Sequence, residues 1–205
     1  MLRRLELPDL DIRPQSPDVE MLLGEAARRI DEFIEQQGRC FISSFVASDY
    51  RGASACLAWI TEHRLAAGNA FCEWGSGFGV VAMLAALHGF DACGIEVEPR
   101  LVAQGEQLAA DLAIPVQFSC GSAIPELGRK FFRHLEGIEQ IDTDAPEGYD
   151  ALGLALDDFD LVYVYPWPGE ERCWEQLFDR HAAHGALLLT YHGRDRFQLR
   201  RRVRK

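Results

Sequence analysis

The six cysteines form no C-x-x-C pair and no cluster with metal-ligand spacing. That excludes a zinc ribbon and a thioredoxin-like redox motif. Several lie inside apolar runs, where a thiol behaves as a small hydrophobe. No apolar run approaches the roughly 20 residues a membrane helix needs, and the opening MLRRLELPDLDIRP has no apolar core of the signal-peptide kind. A reducing cytoplasm and no membrane contact are the resulting expectations. A P-loop is excluded because no Gly-Lys-Ser/Thr is present. Positive charge is scarce: 21 Lys and Arg stand against 32 Asp and Glu, a net −11, which argues against a general nucleic-acid-binding surface. From Arg194 onward the balance reverses, with seven basic residues and one acid. Such a tail can dock on an acidic body, an acidic partner or a phosphate backbone. Alternation at Phe197, Leu199 and Val203 instead favours a half-buried edge strand.

What is present centres on FCEWGSGFGVVAMLAALHGFDACGIEVEP, residues 71–99. An apolar strand reaches Glu73, a loop carries Gly75, Gly77 and Gly79, a helix runs from Val80 to Leu87, and a second strand ends on Glu96. Strand, glycine loop, helix and strand make the first crossover of a parallel α/β sheet. The glycines permit a tight turn and close approach of backbone to ligand, and unpaired N–H groups of the following helix suit an anion. A carboxylate ending the next strand can accept from a ribose diol. A dinucleotide fingerprint needs its third glycine at 80, where Val80 stands. A nicotinamide dehydrogenase is therefore disfavoured.

The stretch from about Asn69 to His192 resembles the class I S-adenosylmethionine-dependent methyltransferases. Their acid-x-Gly-x-Gly-x-Gly loop is matched by Glu73, Gly75, Gly77 and Gly79 around Ser76, and their ribose-binding acid by Glu96. The resemblance implies S-adenosylmethionine as cofactor. Ser122 stands where many of these enzymes carry an Asp for the adenine amino group, and a neutral hydroxyl is a weaker acceptor. Tyr165, Pro166, Trp167 and Pro168 end the fourth strand of the core. In this family that strand end faces the transferable methyl, so Tyr165 and Trp167 are candidates for acceptor positioning and Tyr165 also for cofactor contact. Phe45 and Tyr50 precede the core where related enzymes contact the cofactor, though packing aromatics are the simpler account. His192 is the best-placed imidazole, with a structural histidine as the simpler account. A weaker similarity, in brevity and in the Gly-x-Glu after the glycine loop, is to compact lysine methyltransferases of the ATP-synthase c-subunit type.

The expected architecture is a Rossmann-like, mostly parallel sheet of five to six strands with helices on both faces. Residues 1–68 form an N-terminal arm and helices, and residues 69–205 the core, in one domain overall. An irregular arm is expected over residues 1–16, a short strand over 40–46 and a long acidic loop over 136–150. The expected function is methyl transfer to an unidentified acceptor, a protein side chain or small metabolite, with nucleic acid disfavoured and no metal. The alternative is a non-catalytic sensor that binds S-adenosylmethionine or S-adenosylhomocysteine.

Overall fold

The strand bearing Glu73 lies inside the sheet, paired on both sides and buried from Phe71 to Trp74, and its neighbours are built around it. The computed structural model describes residues 1–8, 15–37, 45–132, 145–194 and 196–204. Seven strands among these form one sheet in the order β1-β7-β6-β5-β2-β3-β4. They are β1 (Leu2–Leu5), β2 (Ala70–Trp74), β3 (Asp91–Glu96), β4 (Val116–Cys120), β5 (Leu161–Val164), β6 (Leu187–Tyr191) and β7 (Phe197–Arg202). Strands β2 to β6 are mutually parallel, and β7 runs antiparallel to both β6 and β1. Parallel strands covered on both faces read as continuous apolar runs, which is what Leu161–Val164 and Leu187–Tyr191 are, with every residue buried.

Helices cover both faces. One layer holds α1 (Pro17–Gln37), α2 (Tyr50–Glu62), α3 (Val80–Leu87) and α4 (Pro99–Asp111), and shares a core with Phe71, Tyr163, Leu189 and Leu199. The other holds α5 (Glu126–Phe132), α6 (Tyr149–Leu152) and α7 (Glu171–His181), packed on Cys72, Ile95, Val162 and Leu188. Helix α1 begins at Ser16-Pro17, where the Val19 N–H donates to Ser16 Oγ at 3.4 Å and proline fits the first turn. No helix among the described residues is long and apolar enough to cross a membrane.

Two expectations change. The arm over residues 1–16 contains a strand, β1, which makes the sheet seven-stranded. Strand β7 is not an edge: it lies between β6 and β1, and β1 takes the edge. The physical reason is long-range pairing. Leu5 lies opposite Leu199, which is fully buried, and so brings both sequence ends together. Of the strand expected over 40–46, residues 45 and 46 are irregular, and the remainder lies outside the described residues. So does most of the acidic stretch 136–150, whose end enters α6. Cys56, Cys72, Cys93 and Cys173 are buried free thiols and Cys120 is an exposed one.

From β2 the chain steps outward to β3 and β4, then returns to place β5 on the opposite side of β2. The point where the order reverses, between β2 and β5, opens a crevice at the strand carboxyl ends.

Candidate active site

The loop after β2 folds as it does because of backbone geometry. Gly75, Gly77 and Gly79 have φ of 65°, 55° and 69°, the left-handed region where a Cβ is strained. Gly79 also faces the Phe118 ring, which a Cβ would meet at 2.1 Å. Gly94 on β3 serves the same purpose from below, since a Cβ there would meet Ser76 Oγ at 2.7 Å. The loop amides are turned inward. Gly75 and Ser76 donate N–H to the Ile95 carbonyl at 2.9 and 3.1 Å, and Gly79 donates to Ser76 O at 2.6 Å.

Part of the expected set of unpaired N–H groups at the start of α3 is met by the chain itself. Gly79, the residue capping α3, has no side chain to serve as a cap. Glu73 reaches across instead, and its Oε2 accepts from the Ala82 N–H at 2.8 Å. A carboxylate at a helix N-terminus is favoured both by the orphan donors and by the dipole. Glu73 is thus a helix cap whose side chain also forms part of the cavity wall. Glu96 ties the loop to β3: Oε2 accepts from the Gly77 N–H at 2.8 Å, and Oε1 from the Glu98 N–H at 3.0 Å. Each carboxylate oxygen keeps a further lone pair for a ligand hydroxyl.

A cavity of about 620 Å³ opens over the β2–β5 junction, within the size range of small-molecule sites. Its wall combines two groups of residues. Glu73, Gly75, Ser76, Gly77, Glu96, Val97 and Leu101 come from the β2 and β3 side; Tyr163, Tyr165, Trp167, Glu171, Trp174, His192 and Arg196 come from the β5 and β6 side. Phe45 and Tyr50 close it from the N-terminal segment, and the Phe45 ring lies 5.4 Å from that of Phe78. Two of the proposed site residues stand outside this wall. Gly79 is turned to Phe118. Ser122 is committed to the neighbouring segment, its Oγ accepting from the Ile124 N–H at 3.2 Å and its backbone pairing with residues 146 and 148.

Sequence reasoning missed Tyr163, Trp174, Glu171 and Arg196. Tyr163 had a readable signal: it is two residues before Tyr165 on a strand and lies opposite Glu73 in register, so it shares that face. Its hydroxyl shares a 2.5 Å hydrogen bond with Ser48 Oγ. Trp174 reaches the cavity from α7 and packs 5.3 Å from Trp74. Tyr165 is braced by Tyr191, with ring centroids 4.7 Å apart.

Burial governs the electrostatics. It pushes the Glu73 carboxyl well above the usual carboxylate range, against the pull of the Ala82 amide, and nearby Glu96 pushes it further. Glu96 is raised too, by burial opposed by the amides of Glu98, Gly77 and Val97. Burial lowers His192, Glu171 opposes that shift, and Arg200 and Arg196 add to it.

The raised Glu73 carboxyl has a testable consequence for stability. Above the unfolded value of about 4.3 the unfolded chain releases this proton while the fold retains it. The associated stabilisation is full below that pH and is lost as pH rises toward the folded pKa. Glu73→Gln keeps an acceptor for Ala82 without a charge. Its melting temperature, relative to the parent's, is therefore expected to improve as pH rises above about 4.3 toward the folded pKa. A pH-independent difference would contradict the buried, proton-retaining carboxyl.

No protein-family model matches the chain, and no curated protein matches it in sequence. Solved structures do. A methyltransferase from Geobacter sulfurreducens aligns over 93% of both chains at 11% identity with a TM-score of 0.56. An RNA methyltransferase from Salinibacter ruber, in complex with S-adenosyl-L-homocysteine, aligns over 78% of this chain and 95% of its own, at 15% identity with a TM-score of 0.52. The chain has the Rossmann-like fold of the class I methyltransferases. The crevice at the β2–β5 junction is the position at which sheets of this type take their ligands.

Proposed function

We propose that the protein binds S-adenosylmethionine in this cavity and transfers its methyl group to a nucleophile entering beside Trp167. The observation that carries the reading is the tie between Glu96 and Gly77. It sets a buried carboxylate and a glycine loop side by side at the switch point, in a cavity of about 620 Å³. The residues present fit the cofactor. Glu96 offers acceptor capacity for ribose hydroxyls, and the buried Ser76 Oγ in the cavity wall has no hydrogen-bond partner among the described residues. Phe45 lies against Gly77, where a Cβ would meet its ring at 2.8 Å.

When bound, S-adenosylmethionine supplies a methyl group already activated by its sulfonium. The chain has then to align the acceptor, exclude water and, where the acceptor carries a proton, remove it. Alignment alone lowers such barriers by about 7–11 kcal/mol when geometry is right. Tyr165, Trp167 and Trp174 form the aromatic wall for this purpose. Pro166 and Pro168 stiffen the turn that holds Trp167. For proton removal, His192 Nε2 is engaged with Thr190 Oγ1 at 2.8 Å. Nδ1 is the ring atom left to take a proton, and its lowered pKa keeps the imidazole neutral near pH 7.

The test has two arms. Calorimetry with S-adenosylhomocysteine reads binding, and incubation with labelled methyl donor and fractionated acceptors reads transfer. Trp167→Ala is expected to leave S-adenosylhomocysteine affinity within about twofold while lowering transfer about tenfold or more, because acceptor alignment alone is lost. Equal loss of binding and transfer would assign Trp167 to the scaffold. Absence of binding to the parent protein would overturn the reading.

A further inference from the structure

The sheet ends in an arginine-rich edge. The β1–β7 register sets Arg3 opposite Arg201 and Arg4 opposite Arg200. Like charges directly opposite across a strand pair repel, so the two sequence ends are paired in spite of their charge. Little of that charge is cancelled. Arg201 and Arg202 donate to the main-chain carbonyls of Leu65 and Arg180 at 2.8 and 3.1 Å, which removes none of it. Arg200 pairs with Glu175 at 2.9 Å. Arg3, Arg4 and Arg204 are exposed, with no hydrogen bond or ion pair among the described residues. The field is felt nearby: His181 at the end of α7 is lowered by burial first, then by Arg180 and Arg202.

We propose that the β1–β7 edge docks the phosphate backbone of a single-stranded nucleic acid. The net −11 of the chain describes an average, and strand pairing reverses its sign locally. The Met1 ammonium at this edge is paired with Asp179 at 2.5 Å, and the side-chain cations among the described residues of the edge are arginines, whose planar fork matches phosphate oxygens two at a time. Side chains alternate along a strand, so Arg3 and Arg201 share one face and Arg4 and Arg200 the other, and a backbone lying along the edge between the faces is flanked by both pairs. Arg196 belongs to the cavity wall and leads directly into β7, whose six residues run about 20 Å away from the mouth. At the mouth stand the rings of Tyr165, Trp167 and Trp174, flat apolar surfaces on which a base stacks. An acidic peptide would use the arginines but has no use for the rings. A strand pair about 5 Å wide suits one backbone better than a duplex. Arg3, Arg4 and Arg204 lie outside the cavity wall, and occupancy of the edge is read without cofactor, so it stands or falls independently of methyl transfer.

The experiment is fluorescence anisotropy of a labelled, mixed-sequence 20-nucleotide RNA over 25–200 mM salt, with the full chain and with Arg3→Gln/Arg4→Gln/Arg204→Gln. These three side chains hold nothing in the fold, so the variant is expected to melt with the parent. Parent binding is expected to weaken with salt. The variant is expected to bind at least tenfold more weakly at low salt, with a log–log salt slope smaller by about 2, since each single-strand phosphate contact contributes about 0.7. No RNA binding at 25 mM salt, or equal binding by the variant, would overturn the proposal. Poly-L-glutamate displacing the RNA as well as unlabelled RNA does would overturn it in favour of an acidic protein. Salt-sensitive self-association lost in the variant, without RNA binding, would overturn it in favour of a second copy of the chain.

Discussion

Cutting the chain after Arg194 is expected to abolish the cooperative thermal transition. The cut removes β7, which pairs with β6 on one side and β1 on the other, so one deletion strips partners from two strands. Leu199 is fully buried and Phe197 packs 4.8 Å from Tyr191. Removing a buried side chain of this size costs about 1.5–3 kcal/mol. Main-chain groups left unpaired on β6, which is buried along its length, cost about 1–3 kcal/mol each. The sum reaches the 5–15 kcal/mol that holds an ordinary domain together. Circular dichroism of the truncated chain on heating is the measurement. A melting temperature within about 3 °C of the parent, a shift worth roughly 1 kcal/mol in a chain of this size, would show that β7 is dispensable.

Glu96→Ala is expected to weaken S-adenosylhomocysteine binding about tenfold or more without unfolding the protein. Two losses combine. The charged acceptor proposed for the ribose hydroxyls disappears, and a hydrogen bond to a charged group is worth about 1.5–3 kcal/mol. The Gly77 N–H also loses its partner at 2.8 Å, so the loop is no longer tied to β3. Two effects on stability oppose each other: the Gly77 and Glu98 amides lose their acceptor, while the charged form, which burial penalises by raising the Glu96 pKa, is no longer present near pH 7. Calorimetry alongside thermal melts separates affinity from stability. Unchanged affinity in a folded variant would remove Glu96 from the site, and with it the strongest support for the proposed cofactor.

The elements of the core were legible because their causes are local. The α3 helix is found over Val80–Leu87 as its apolar run implies, and β3 ends on Glu96 as its pattern does. Gly75, Gly77 and Gly79 could be read from their letters alone, since three positive φ angles in five residues leave few alternatives to glycine. Glu96 was legible for a similar reason: a carboxylate that ends an apolar strand after such a loop has few other places to be.

The tertiary structure decided everything that depends on residues far apart in the chain. Nothing local marks Leu2–Leu5 as a strand; its partner lies almost two hundred residues away, and that pairing moves β7 from the edge to the interior. Glu73 reads in sequence as a ligand-binding acid and is found capping α3, because a Gly79 without a side chain leaves the helix terminus to the nearest buried carboxylate. Ser122 occupies the expected position along the chain, yet its backbone is held by residues 146 and 148, away from the cavity wall. Trp174 and Arg196 join that wall from a helix and a turn whose own patterns carry no sign of it. The periodicity of side chains along a segment decides which residues face one way. Which segments then face one another is decided by strand order and packing, and those are settled by contacts between parts of the chain that share no local signal.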